Sequence, residues 1–125
     1  MPTTRELISK INKIFEENKI EEFITLLSDD IVWEMHSSST GHTTLSGKNE
    51  IKNMGAGDKL PKRMFFKFGT IIIDGEKASV ECTTSGEMPD GSQYKGFSCD
   101  IYHFSDEKVV RIISYVVDGN MQSSN

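Results

Sequence analysis

Asp100 is the residue in this sequence best placed to do chemistry. It stands in a run where Gly96, Ser98, Asp100 and Tyr102 alternate with Phe97, Cys99, Ile101 and His103. A strand turns alternate side chains to opposite faces. One face therefore carries a hydroxyl, an acid and a phenol, and the other is mostly apolar. Just upstream, Pro89-Asp90-Gly91 is a turn signal. With Asp90-Gly91 as a two-residue loop, Pro89 stands opposite Ser92. Glu81 then faces Asp100, Cys82 faces Cys99, Thr83 faces Ser98 and Ser79 faces Tyr102. Directly opposed Cβ atoms lie about 4.5–5.5 Å apart. Two carboxylates so close repel, and one takes up a proton more readily, more so if buried. Asp100 and Glu81 are on this reading the candidate catalytic pair, sharing a proton near neutral pH. A one-residue slip of register would put them on opposite faces.

Other chemistry is thin. His36, His42 and His103 show no metal-ligand spacing with Cys82 or Cys99, so no metal is expected. Cys82 and Cys99 are expected as free thiols on the face away from Asp100. There is no glycine-rich phosphate loop and no nucleophile motif, so no cofactor is expected. The 125 residues suit one domain, expected over 1–118 with a polar tail over 119–125. A net charge of -5 without a basic stripe argues against nucleic acid as partner. No apolar run approaches the length of a membrane span and no signal peptide is visible, so no membrane partner is expected. Two cysteines without a secretory signal suggest reduced thiols in a cytoplasm.

The elements that must position Asp100 follow from patterning. Thr3 and Glu6 form a capping box, and Leu7, Ile8, Ile11, Ile14 and Phe15 share one helical face. A second helix carries Ile20, Phe23, Ile24 and Leu27, ended by Ser28-Asp29-Asp30. Ile31 to His36 reads as a strand, followed by a polar loop from Ser37 to Thr44. Ser46 can cap a short third helix with Ile51 and Met54, stopped by Gly55 and Gly57. After Pro61 the chain becomes β, with Met64 to Ile73, a tight Asp74-Gly75 hairpin signal, Lys77 to Met88, and two final strands about a Ser105-Asp106-Glu107 turn. Helices first, then an antiparallel meander, is an α+β pattern.

The segment Asp100-Ile101-Tyr102-His103-Phe104 with Lys108-Val109 resembles the D-I-F-R-F, acidic turn, G-K-I segment of the SnoaL-like branch of the NTF2-like superfamily. Leu27 to Trp33 resembles that branch's helix-to-strand junction, and Ser46 to Ile51 the start of its third helix. Tyr115 with Asp118 resembles its final strand. Glu107 departs from the glycine usual in that turn. The resemblance implies a cone-shaped α+β barrel, three N-terminal helices packed in a strongly curved, mainly antiparallel sheet around a pocket. It implies that Asp100, Tyr102, Trp33 and Met35 point into that pocket, with Ser98, Thr83, Ser114 and Ile112 on its wall. In ketosteroid isomerases an acid at the place of Asp100 donates a hydrogen bond to the substrate oxyanion. Their base would fall at Met35 and their oxyanion tyrosine near Ile11, so those two roles are unfilled. The arginine and two aspartates of limonene epoxide hydrolases look like Glu81, Thr83 and Ser114, which cannot run that chemistry.

Two functions are compatible with these residues. One is a small-molecule pocket protein, an isomerase, cyclase or dehydratase acting on a hydrophobic carbonyl compound. The other is a non-enzymatic dimeric module that binds a ligand or protein. A homodimer is expected through the outer sheet face, carrying Val80, Cys82, Phe97, Cys99, Ile101, Ile113 and Tyr115.

Overall fold

The computed structural model describes residues 2–39, 41–54, 63–88 and 90–119. Among the described residues three helices, α1 (Thr4–Glu16), α2 (Ile20–Thr25) and α3 (Lys48–Met54), accompany six strands. The strands are β1 (Leu27–Ser37), β2 (Gly41–Ser46), β3 (Arg63–Asp74), β4 (Lys77–Glu87), β5 (Gln93–Ser105) and β6 (Lys108–Gly119). They form one curved sheet in the order β2-β1-β6-β5-β4-β3, antiparallel except for the β1–β6 pair. This is the expected α+β architecture. Among the described residues no helix is long and apolar enough to cross a membrane. Gly55, Gly57, Pro61, Pro89 and residues 120–125 lie outside the described residues, and so do the expectations placed on them.

The first helix starts as its sequence dictates. Glu6 N–H donates to Thr3 Oγ1 and Thr3 N–H donates to Glu6 Oε1, at 3.1 and 2.8 Å. Leu7, Ile8, Ile11 and Ile14 are buried against Phe23, Ile24, Val80, Phe104, Val109 and Ile112. Burial of such side chains contributes about 1.5–3 kcal/mol each, which holds the helices against the sheet. The second helix is shorter than expected. Leu27 begins β1 and is fully buried there, because Ser28-Asp29-Asp30 continue as strand rather than ending a helix. Residues 41–46, read as loop, pair with β1 instead. Ser46 does not cap α3 through its hydroxyl; its N–H donates to Glu50 Oε1 at 2.7 Å.

The β4–β5 hairpin differs from expectation by one residue. Met88 N–H donates to Ser92 C=O at 2.8 Å, so the loop spans three residues, not two. Gly91 takes the left-handed conformation such a loop needs, φ +89°, and Asp90 Oδ1 accepts from Ser92 N–H and hydroxyl. Val80, not Glu81, therefore stands opposite Asp100; Glu81 pairs with Cys99, Cys82 with Ser98 and Thr83 with Phe97. Each β4 residue changes face relative to the two-residue-loop reading. Val80 and Cys82 point inward, away from the proposed dimer face, and the two thiols lie on opposite faces of the sheet.

The last hairpin has a two-residue loop, Asp106-Glu107, both left-handed at φ 51° and 64°. Alone it would set Ile113 opposite Asp100. Val110 has no partner in the register between Phe104–Val109 and His103–Arg111. This bulge restores the pairs Tyr102–Ile112 and Asp100–Ser114. A second bulge interrupts β3 between Phe68 and Ile71.

Candidate functional site

Between the helices and the concave sheet lies a cavity of about 270 Å³. Its walls are mostly aromatic and apolar: Phe15 from α1, Trp33 and Met35 from β1, Met64, Phe66 and Phe68 from β3, Val116 from β6. Cys82, Thr84, Tyr94, Ser98, Asp100, Tyr102 and Ser114 add polar atoms. Asp100 is the sole carboxyl among these lining residues.

A short hydrogen-bond chain holds Asp100. Trp33 Nε1–H donates to Ser114 Oγ at 2.9 Å. The Ser114 hydroxyl proton is thereby left for Asp100, which stands directly across the β5–β6 pair. The Ser98 hydroxyl donates to Asp100 Oδ2 at 3.5 Å, a long bond from two residues along the same face. Burial pushes the Asp100 carboxyl above the ordinary aspartate value, against the opposing pull of Ser114 and Ser98. Burial likewise drives the Tyr102 phenol well up, with Asp100 and Cys82 adding to it. Burial also raises the Cys82 thiol, which is therefore a thiol and not a thiolate at neutral pH. The cavity thus offers a carboxyl biased toward its acid form, beside a phenol that keeps its proton.

The site's far end is built by a tyrosine leaning over a glycine. Tyr94 Oη donates to Asp118 Oδ1 at 2.5 Å, and Ser37 and Ser39 donate to Oδ2 at 2.6 and 2.5 Å. Burial alone would raise the Asp118 carboxyl; the donors from Ser37, Ser39 and Tyr94 outweigh it and bring it below the ordinary value. Gly96 lies between, paired with Asp118. A Cβ on Gly96 would meet Tyr94 Oη at 2.6 Å and Cζ at 3.1 Å. Only glycine lets the ring cross there.

Of the residues singled out from sequence, Asp100, Trp33, Met35, Tyr102, Ser98 and Ser114 come together around this cavity. Ile112 shares their face but is wholly buried in the core. Glu81 and Thr83 do not join them. They line a groove on the other face with Lys67, Phe68, Gly69, Cys82, Lys95 and Phe97. Glu81 Oε1 instead accepts from Thr70 N–H at 3.4 Å, at the β3 bulge. The shared-proton pair of Asp100 and Glu81 is thus overturned by register. Sequence reasoning missed Phe15, Met64, Phe66, Phe68, Cys82, Thr84, Tyr94 and Val116. Their signal was present: Tyr94 has the parity of Asp100, and Val116 that of Ser114. Outside the cavity, the β1–β2 hairpin sets His36 opposite His42. Reading that stretch as loop hid the proximity.

The SnoaL-like domain model matches residues 8–112. No curated protein is similar enough to match the chain. Solved structures share the fold. An NTF2-like protein of unknown function from Burkholderia pseudomallei superposes with TM-score 0.76 at 15% identity, covering 91% of this chain and 90% of that one. TerC, co-crystallised with polyporic acid, gives 0.74 at 18% identity, covering 89% and 88%. An LEH-like epoxide hydrolase of M. tuberculosis gives 0.66 at 16% identity, covering 88% and 79%.

Proposed function

The chain belongs to the SnoaL-like domain family, and on that premise we propose that its cavity binds a compact, mostly apolar carbonyl compound. Asp100 serves that ligand as hydrogen-bond or proton donor, in isomerase-, cyclase- or dehydratase-type chemistry that needs no cofactor. The observation that carries the reading is a lone carboxyl, raised by burial, on an otherwise aromatic and apolar wall. The volume sits near the lower end for small-molecule pockets, roughly 300–1,000 Å³, which favours a compact ligand. In its acid form Asp100 donates to the carbonyl oxygen as negative charge builds there. The adjacent C–H bond becomes more acidic and loses its proton to water. Tyr102 and Ser98 flank the oxygen, while Trp33, Met35 and Phe66 hold the apolar body.

A non-enzymatic binding module is the second reading, favoured by the absence of a second acid or base among the described lining residues. Either reading includes a homodimer through the outer sheet face. Phe65, Phe97, Tyr115 and Val117 are 41–58% exposed there, apolar side chains sharing one face of the kind that marks an interaction surface. The free thiols of Cys82 and Cys99 fit a reducing cytoplasm.

The test follows exchange of the protons next to the carbonyl of 2-decalone in D₂O by NMR, with binding measured in parallel by Trp33 fluorescence. The expected result is accelerated exchange with wild type and background exchange with Asp100→Asn, binding being kept. Binding without exchange by either protein would select the binding module. Neither binding nor exchange across a panel of cyclic ketones would overturn the ligand class.

A further inference from the structure

We propose that the outer face of the β1–β2 hairpin is a binding site for a divalent transition-metal ion of the zinc class, held by Glu34, His36 and His42. The register of the hairpin makes the site. His36 and His42 are direct cross-strand partners, and Glu34 lies two residues before His36 on the same face. One ligand atom from each residue lies within 4.8 Å of the others. Zinc binds imidazole nitrogen at 2.0–2.1 Å and carboxylate oxygen at about 2.0–2.2 Å, so two tetrahedral ligands stand about 3.4 Å apart. Rotation of the exposed His42 ring out of its stack on His36 closes the difference.

The surroundings are consistent with an ion. The His36 ring is stacked between His42 and Tyr115, at centroid distances of 4.6 and 5.1 Å. A metal lies in the plane of each imidazole it binds, so the exposed His42 ring turns out of this stack while Tyr115 holds His36. The 3.3 Å contact of His42 Nε2 with Thr44 Oγ1 is exposed and long, and yields to that turn. Arg111 pairs with Glu34 through Nε and Nη2, both to Oε1. The ion and the arginine can therefore use different oxygens of one carboxylate. An exposed ion pair of this kind is weak competition for a metal. Two imidazoles and a carboxylate form a borderline donor set suited to zinc, copper or nickel rather than to calcium or magnesium. A fourth position remains for water. The consequence is mechanical: β2 is an edge strand with Leu45 its only half-buried residue, and an ion joining His42 to Glu34 and His36 clips it to β1. The site lies on the outer face of β1 and β2, where His36 stacks on Tyr115 at the border of the proposed dimer face, and is separate from the cavity on the other face.

The experiment titrates zinc chloride into the untagged, reduced full chain by calorimetry, with histidine side-chain NMR. The expected result is one ion per chain, with the ring signals of His36 and His42 shifting and those of His103 unmoved. Loss of even an outer-shell partner costs 10–100-fold in metal affinity. His42→Ala, at an exposed position, should therefore weaken binding by at least about tenfold and leave the fold intact. Wild-type melting temperature should rise with free zinc and that of the variant should not. Absence of binding, equal binding by His42→Ala, or NMR shifts centred on His103 would each overturn the site.

Discussion

Gly96→Ala tests how the far end of the cavity is assembled. The added methyl would sit 2.6 Å from Tyr94 Oη and 3.1 Å from Cζ, so the ring must swing off Gly96. Swinging breaks its hydrogen bond to Asp118, 2.5 Å long in the native site. A hydrogen bond to a charged group contributes about 1.5–3 kcal/mol. Alanine recovers about 0.5–1 kcal/mol of the strand penalty that glycine carries. The net expected loss is about 1–2 kcal/mol, read from urea unfolding at neutral pH. The control is the same change in a Tyr94→Phe background. There the hydroxyl and its bond are already gone, and Gly96→Ala should be close to neutral. The two substitutions should therefore couple by about 1.5 kcal/mol or more. Additivity within about 0.5 kcal/mol, the behaviour of independent sites, would refute the crossing ring as the reason for glycine.

Asp100→Asn should change the pH dependence of stability in a defined direction. The folded carboxyl is raised, so in wild type stability falls as pH rises from the ordinary aspartate value, about 3.9, through the raised native one. The variant lacks this fall and should gain on wild type across that window; a constant difference from pH 3 to 8 would contradict it. Asp118, lowered, has the opposite sign and cancels in the comparison. Glu81→Ala should change stability by no more than about 0.5 kcal/mol, its bond to Thr70 being exposed and 3.4 Å long, and leave cavity binding unchanged; a tenfold loss of ligand affinity would restore Glu81 to the site. Sedimentation velocity should give a dimer at micromolar concentration, and Phe97→Glu with Tyr115→Glu should give a monomer. A wild-type monomer would remove the outer-face contact.

Much of the fold was legible because its signals are local. The capping box, the apolar stripe of α1 and the alternation of β5 each determine an element without knowledge of the rest. Asp100, Tyr102 and Ser98 were found together because one strand carries all three. What failed was counting across turns. The Asp90-Gly91 signal is equally compatible with a two- or a three-residue loop, and that single residue moved Glu81 and Thr83 off the site and brought Cys82 and Thr84 in. The β2 strand was hidden because Gly41 to Ser46 is polar except for Leu45 and pairs on an edge, where little burial enforces a pattern. Phe66 and Phe68 alternate visibly, but their facing relative to Ile71 and Ile73 depends on a bulge whose one local signal is Gly69.

The Val110 bulge lets a two-residue turn feed a strand whose facing that turn alone would reverse. Val110 is the extra residue. Deleting it would join Phe104–Val109 directly to His103–Arg111 as a regular ladder, with Asp100 still opposite Ser114. Straightening the bulge with Val110 kept would instead pair Val110 with His103, set Ile113 opposite Asp100, and turn Ser114 and Val116 toward the outer face. The Trp33 indole would lose its acceptor in the same event. The hairpin should therefore accept loss of this one residue, and the cavity depends on Val110 staying out of the ladder whenever it is present.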